Sequence, residues 1–401
     1  MSRSLLYHAF NIKNVEYSST RYIGKKIIIK AEMTDKIQSC CFCKSSRLIF
    51  KGKKTRFLHL PPIGRKRCVL ELIMHRLYCK DCQHLWWPRL SFMVGNKRYS
   101  RSFALTVLDL LRFATIRAVA EYLHVSWDLI KQIHKLKLAI IYRRQDLSKL
   151  VYLGIDEFSI HKGHSYMTIF VDLQTGRIIH AVEGRSSEEV APFLRKISQK
   201  ALKLKAVAID MSQSYFKAIK DHLGHVDIVF DRYHISALVN RSIDDLRKDM
   251  QNQLDQQGKT YMKGCKFLFL RNYANLDDPS KAKLQTLLNA NAPLFLMHSM
   301  KELLLYFWKF KNPDLAKEFL YSWCFDALTS GIKPFISLGM TLNKYKDQIL
   351  NYFKHRITNA VTEGTNNKIK TLKRQAYGYR DMDYFKLRLY HLHRSRYSFA
   401  G

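Results

Sequence analysis

Two short apolar runs each end in a carboxylate: "VYLGID" closes on Asp156 and "KAVAID" on Asp210. Runs of this kind read as buried strands, so both acids fall at strand ends. If the strands are neighbours in one sheet, the two carboxylates come within reach of shared cations. Hard oxygen ligands suit Mg²⁺ or Mn²⁺. Two such ions about 3.5 to 4 Å apart can activate an attacking oxygen and stabilise a leaving one in phosphodiester chemistry. A third carboxylate is then expected, and Glu363 in "NAVTEGTNNKIKTLKR" is the choice. On a helix, Glu363, Asn366 or Asn367, Lys370 and Arg374 recur at i, i+3 or i+4, i+7 and i+11, placing a carboxylate, amides and then cations on one face. That face would hold a metal at one end and phosphates along the rest, with Lys373 adding charge. A lone helical Glu is more often a solvated surface residue.

Other groups compete for these roles. Glu157 adjoins Asp156, but strand alternation points it to the opposite face. Asp172 ends a strand beside a turn, where Asp is ordinary. Asp231 and His234, in "FDRYH", follow the strand after Asp210 and form a candidate near-site pair; a turn Asp and a packing His are the equal alternative. His161, Lys162 and His164, just past the first strand, receive no assigned role.

Six of the eight cysteines lie between Cys40 and Cys82. Such clustering favours a metal site in a reducing compartment over disulfides. Cys40-x-x-Cys43 and Cys79-x-x-Cys82 are separated by 79 − 43 − 1 = 35 residues, a spacer longer than that of the usual zinc ribbon. Each pair can aim two thiolates at one tetrahedral zinc at ~2.3 Å, closing a structural site. Buried or redox cysteines are the alternative. Cys41 is the competing ligand, and Cys68, Cys265 and Cys324 read as core residues.

Elements must position these groups. Up to about Ser91, strand-like runs such as "RYIGKKIIIKAEM" alternate with basic clusters, which suggests a small β-rich, metal-stapled module. From Arg101 to Arg143 the spacing turns helical, with Leu105, Leu108, Leu111, Ile130, Ile133 and Leu136 as the apolar positions. Within it, "TIRAVAEYLHVSWDLIKQIH" has helix-turn-helix grammar. Ala118, Val119 and Leu123 face one helix inward, Ser126 caps the next, and Leu129, Ile130 and Ile133 pack it. Trp127, Asp128, Lys131, Gln132 and Lys135 then face outward, and Lys131, Gln132 and Lys135 can reach phosphates or base edges. An ordinary helical hairpin has the same pattern.

From Val151 to Asp231 the order is strand, strand, strand, helix, strand, helix, strand. The first helix opens with Ser186 and Glu189 at capping-box spacing, and Pro192 is expected near its first turn. Helical runs dominate from Ile235 to Arg356. The domains expected are 1–95, 96–145, 146–240, 241–355 and 356–401.

Lys and Arg number 68 and Asp and Glu 33, so the net charge is 68 − 33 = +35, spread along the chain. A field of that sign attracts polyanions, nucleic acid first among them. No run approaches the roughly 18 apolar residues of a membrane span, and no signal peptide is read at the start, so a cytoplasmic protein is expected.

Four stretches taken together, "GIDEFSIHKGHSYMTIFVD", "AIDMSQSYF", "DRYH" and "NAVTEGTNNKIKTLKRQAYGYR", resemble the transposases of the ISL3 insertion-sequence family. The resemblance spans nearly the whole chain. It implies an α/β fold: an RNase H-like catalytic core interrupted by an all-α insertion, preceded by a zinc-binding β-rich module and a helix-turn-helix. It also implies a DDE triad of Asp156, Asp210 and Glu363, zinc on Cys40, Cys43, Cys79 and Cys82, and a helical insertion within the 363 − 210 − 1 = 152 residues between the last two acids. Cys41 stands where that family often has proline. The expected function is Mg²⁺- or Mn²⁺-dependent cleavage and strand transfer of double-stranded DNA, at terminal inverted repeats and target sites, by a homo-oligomer on nucleoid DNA. A nuclease or resolvase without strand transfer, and a non-catalytic DNA-binding regulator, remain the alternatives.

Overall fold

A computed structural model describes residues 5–34, 39–161, 163 and 165–394. The chain divides into two compact units, one up to Arg143 and one spanning Arg144–His393.

The first unit opens with helix α1 (Leu5–Phe10), followed by strands β1 (Val15–Ile23), β2 (Lys26–Met33), β3 (Leu48–Ile63), β4 (Lys66–Cys79) and β5 (Leu85–Trp86). They form one sheet in the order β1-β2-β4-β3, with β5 also on β4. Burial alternates with period two, as a one-sided sheet requires. Ile27, Ile29, Ala31 and Met33 on β2 meet Cys68, Leu70, Leu72 and Met74 on β4 in one core. Three helices follow: α2 (Arg101–Leu110), α3 (Ile116–Leu123) and α4 (Trp127–Ile141). Thr115 caps α3 by accepting from the Ala118 amide, and Ser126 caps α4 by accepting from the Leu129 amide. Between them His124 turns the chain in the left-handed region at φ 53°. The inward stripe differs from the expected one. Phe103 and Val107, four residues apart, fill the core with Val119, Leu123, Ile130 and Ile133. Leu105 and Leu136 are 54% and 42% exposed, because they lie off that stripe.

The second unit contains β6 (Tyr152–Ser159), β7 (Tyr166–Asp172), β8 (Ile178–Glu183), α5 (Ser187–Lys200), β9 (Ala206–Ile209), α6 (Gln213–His222) and β10 (Asp227–Phe230). The sheet order is β10-β9-β6-β7-β8. β6, β7 and β8 are antiparallel neighbours, whereas β6, β9 and β10 run parallel. Asp172 serves the β7–β8 turn, accepting from the Gln174 amide and the Thr175 hydroxyl. Ser186 and Glu189 form the capping box of α5, but Pro192 sits in the second turn rather than the first. Lacking an N–H, it leaves the Glu188 carbonyl without its helical partner.

The chain then runs through α7 (Arg232–Asn252), α8 (Gln256–Lys263), α9 (Lys266–Leu270), α10 (Asp278–Asn289), α11 (Ala292–Phe307), α12 (Pro313–Thr329), α13 (Lys333–Lys344) and α14 (Lys346–His355). It returns to the sheet as α15 (Ala360–Gln375) and α16 (Met382–Tyr390). One sheet face, with Leu153, Ile155, Val207, Ile209 and Phe230, shares a core with α5, α6 and the helical run. On the other face Phe158, Met167 and Ile169 pack against Ile369, Leu372, Phe385 and Leu389 of α15 and α16. No helix among the described residues is long and apolar enough to cross a membrane.

Candidate active site and metal centre

The strand registers place three acids side by side. Gly154 pairs with Ala208 across β6 and β9, an offset of 208 − 154 = 54, which is also 210 − 156. Phe230 pairs with Ile209 across β10 and β9, an offset of 230 − 209 = 21, which is also 231 − 210. Continuing the pairing past the last bonded residues brings Asp210 and Asp231, at the carboxyl ends of β9 and β10, level with Asp156, which lies within β6, paired with Ile169 of β7, rather than at the strand end expected from the sequence. That end of an open parallel sheet is where ligands commonly bind.

Helix α15 covers these ends. Asn366 donates its side-chain amide to Asp156 Oδ2 at 2.8 Å, and the Asn359 backbone N–H donates to Asp231 Oδ1 at 3.2 Å. Its close approach depends on Gly154, where a Cβ would stand 2.6 Å from Thr362 Oγ1 and 3.2 Å from Asn359 Oδ1. Asp156 Oδ1 also accepts from the Glu157 amide at 2.8 Å, and Asp210 Oδ1 accepts from the Ser212 amide at 3.0 Å.

The electrostatics are strained. Burial, helped by the charges of Asp210 and Glu157, pushes the Asp156 carboxyl up to about 6 against the opposing pull of the Glu157 amide and His234. Burial likewise raises Asp210, with Glu157 and Asp231 adding to the shift while the Ser212 amide and His234 oppose it. A bound cation relieves such crowding. Asn359 Oδ1, Thr362 Oγ1 and Asn366 Oδ1 are buried with no hydrogen-bond partner. Carboxylate, amide and hydroxyl oxygens with unspent lone pairs are the donor set that Mg²⁺ or Mn²⁺ prefers, so these residues fit a divalent ion.

Glu363 lies in the first turn of α15, exposed, one residue from Thr362 and three from Asn366. Among the described residues it does not gather with Asp156 and Asp210 into a set as close as that of the cysteines. Glu157 points to the α6 side, where it accepts from Tyr215 Oη at 2.7 Å and lies 3.5 Å from Arg185. His234 is half-buried, and its charge reaches both Asp156 and Asp210. Asn367, Lys370 and Arg374 share the exposed flank of α15, whereas Lys373 is committed to the Ser159 carbonyl at 2.5 Å. The His161 carbonyl accepts from Ser159 Oγ; Lys162 and His164 lie outside the described residues.

In the first unit, Cys40, Cys43, Cys79 and Cys82 bring their sulfurs within 4.8 Å of one another, a set that could hold a metal ion. Cys40 Sγ is 3.6 Å from Cys82 Sγ and Cys43 Sγ is 3.5 Å from Cys79 Sγ. The two turns are built alike. Each pair is followed by a left-handed residue, Lys44 at φ 66° and Gln83 at φ 57°. The Cys40 and Cys79 amides donate to the carbonyls of Ser45 and His84. Hydrogen bonding from the Cys82 amide holds the Cys79 thiol down to about 7. Cys41 is exposed and outside the cluster, while Cys68, Cys265 and Cys324 are buried. On α4, Trp127, Asp128 and Gln132 are exposed and Lys131 and Lys135 half-buried, with the Lys131 ammonium 6.0 Å from the Trp127 ring centre.

The roles of Gly154, Asn359 and Thr362 escaped the sequence reading. An isolated glycine inside a strand run marks close backbone approach, and residues 359, 362, 366 and 373 recur at helical spacing.

The ISL3 family model, described as "Transposase", matches residues 153–389. The transposase for insertion sequence element IS1001 of Bordetella parapertussis is 32% identical over 387 residues, covering 96% of this chain and 95% of that protein. The transposase for insertion sequence element IS1557 of Mycobacterium tuberculosis is 23% identical over 288 residues, covering 66% and 65%. A solved structure, the Drosophila P element transposase strand transfer complex, overlays with a TM-score of 0.37 at 14% identity, covering 72% of this chain and 90% of that one. With one family model spanning more than half of the chain and a relative aligned along nearly all of it, the protein belongs to the ISL3 family of insertion-sequence transposases.

Proposed function

We propose that the chain is a DDE transposase that cleaves DNA at insertion-sequence ends and transfers the freed strand to target DNA. The observation that carries this reading is the level placement of Asp156 and Asp210, both half-buried, both pushed toward protonation and, among the described residues, neither in an ion pair. Asp156, Asp210 and Glu363 are the proposed holders of two Mg²⁺ or Mn²⁺ ions. Such ions, when bound, supply Lewis-acid polarisation of a phosphodiester and an activated oxygen nucleophile. The protein's own part is positioning and charge. Asn366 orients the Asp156 carboxylate, His234 tempers the negative charge, and Lys370 and Arg374, on the exposed flank of α15, lie beside the DNA backbone, while Lys373 is held by the Ser159 carbonyl.

We read the second unit's sheet as an RNase H-like core, residues 146–240 and 356–401, with 241–355 as an all-α insertion. The antiparallel β6-β7-β8 meander continued by parallel β9 and β10 supports this. In the first unit, the four thiolates hold structural Zn²⁺ in a closed set with residues 1–95. Residues 96–145 act as a helix-turn-helix, presenting Lys131, Gln132 and Lys135 to the terminal repeats. Work on two element ends at once calls for a homo-oligomer on DNA, in the cytoplasm at the nucleoid.

An assay on a labelled duplex carrying the element end and a supercoiled target tests the reading. With Mg²⁺, the proposal expects end cleavage followed by joined products; cleavage without joining would mark a nuclease or resolvase instead.

A further inference from the structure

The chain returning from the helical run is fastened to β10 along its whole length. At the start of that strand, Lys354 and His355 bond Asp227 Oδ2 at 2.6 and 2.7 Å. One residue further, Asn351 donates to the Ile228 carbonyl at 2.9 Å. At the far end the Asn359 N–H meets Asp231 Oδ1, and α15 begins at the next residue. Asp231 is 8% exposed, and although it stands at the N-cap position of α7, its side chain makes no capping bond there. It serves the other helix. Asn359 is 4% exposed, so this bond is shielded from water, where losing one partner leaves the other unsatisfied.

We infer that Asp231 is a positioning residue for the proposed active site: as a hydrogen-bond acceptor it anchors the first turn of α15 and so fixes where Glu363 stands relative to Asp156 and Asp210. The inference rests on the DDE reading. Glu363 is four residues beyond Asn359, and its N–H bonds the Asn359 carbonyl at 2.9 Å, so the anchor reaches the glutamate through the backbone of one residue. A level acid at the end of β10 could equally serve as a ligand itself. The two roles differ in what they require: an anchor needs an acceptor oxygen, whereas a ligand needs the charge.

The test compares Asp231→Ala, Asp231→Asn and Asp210→Asn in the full-length protein, reading end cleavage against Mn²⁺ concentration alongside DNA affinity. Supporting groups of this kind contribute roughly 10- to 100-fold. Asp231→Ala is expected to lose that much cleavage and to need more Mn²⁺ for half-maximal rate, with DNA affinity unchanged. Asp231→Asn, which keeps an acceptor oxygen, should recover most of the loss. An Asp231→Asn variant as inactive as Asp210→Asn, or an Asp231→Ala variant with normal rate and Mn²⁺ dependence, overturns the inference. If Asp231→Ala does not fold, Asn359→Pro against Asn359→Ala decides. Both variants lose the Asn359 side-chain oxygen, but proline also removes the backbone donor while accepting the observed φ of −82°, so it should need more Mn²⁺ than Asn359→Ala, and equal behaviour of the pair overturns the inference. Should Asp210→Asn itself cleave, the DDE reading fails, whatever Asp231 does.

Discussion

Asp244 and Asp156 are buried or nearly so in the same unit, yet their surroundings are opposite. Asp244, on α7, is met by Arg247 at 2.8 Å, Lys266 at 3.0 Å and Lys248 at 3.3 Å. Burial alone would raise its carboxyl, but hydrogen bonds from these three cations hold it down to about 2. At Asp156 burial, with the charges of Asp210 and Glu157 adding to it, outweighs the Glu157 amide and His234 and raises the carboxyl to about 6. Among the described residues neither Asp156 nor Asp210 forms an ion pair, in a chain with 68 Lys and Arg to offer. Where a carboxylate is structural, the fold supplies the cation. Where it is withheld, buried acids stay costly and receptive to one from solution.

That contrast can be broken in several places. The largest effect is expected at Asp156→Asn. Cleavage should fall by more than the roughly hundredfold typical of supporting groups, while thermal stability holds or rises because repulsion is relieved. A clear loss of stability would mean that Asp156 is structural like Asp244.

The mirror experiment is Asp244→Asn, which leaves Arg247 and Lys266 without their anion. Breaking a buried pair costs about 3 kcal/mol, visible as a lower melting temperature of the second unit. The same group sets a pH dependence. Its folded pKa lies below the unfolded value of about 3.9, so its stabilisation is complete above that pH and is lost as pH falls toward about 2. Acid titration followed by circular dichroism should show this loss for the wild type and a flatter profile for Asp244→Asn.

Gly154→Ala comes next. Its Cβ would meet Thr362 Oγ1 at 2.6 Å and Leu173 Cδ2 at 2.8 Å, so α15 or β6 must shift. Overpacking of this kind costs about 1 to 3 kcal/mol. Denaturant unfolding measures it, and a matching loss of cleavage would tie the position of α15 to activity. The smallest effect is expected in the other unit. Lys131→Ala should lower the salt dependence of DNA binding by about one phosphate contact, without altering cleavage once DNA is saturating.

How far these features could be read from the residues alone depends on range. Acids closing an apolar run, paired cysteines, and caps such as Ser126 and Ser186 are local patterns, visible within a few residues, although β6 runs on past Asp156 to Ser159. The acids' shared level needs strand order and register, which the apolar runs only suggest. The bond between Asn359 and Asp231 joins residues 128 apart, and the contact of Gly154 with Thr362 needs a helix laid on a strand; neither leaves a local pattern. Lys373 shows a different limit. Its charge matches a DNA-facing lysine, yet its ammonium is held by the Ser159 carbonyl, a partner that composition cannot reveal.

On this account the carboxylate site takes its cation from solution, and that cation drives the chemistry. The most direct measurement incubates wild-type protein and Asp210→Ala with labelled element ends and target DNA, with and without Mg²⁺. The account predicts joined products for the wild type only when Mg²⁺ is present, and none for Asp210→Ala, which should still bind the ends. Joining by Asp210→Ala in the presence of Mg²⁺ would contradict it.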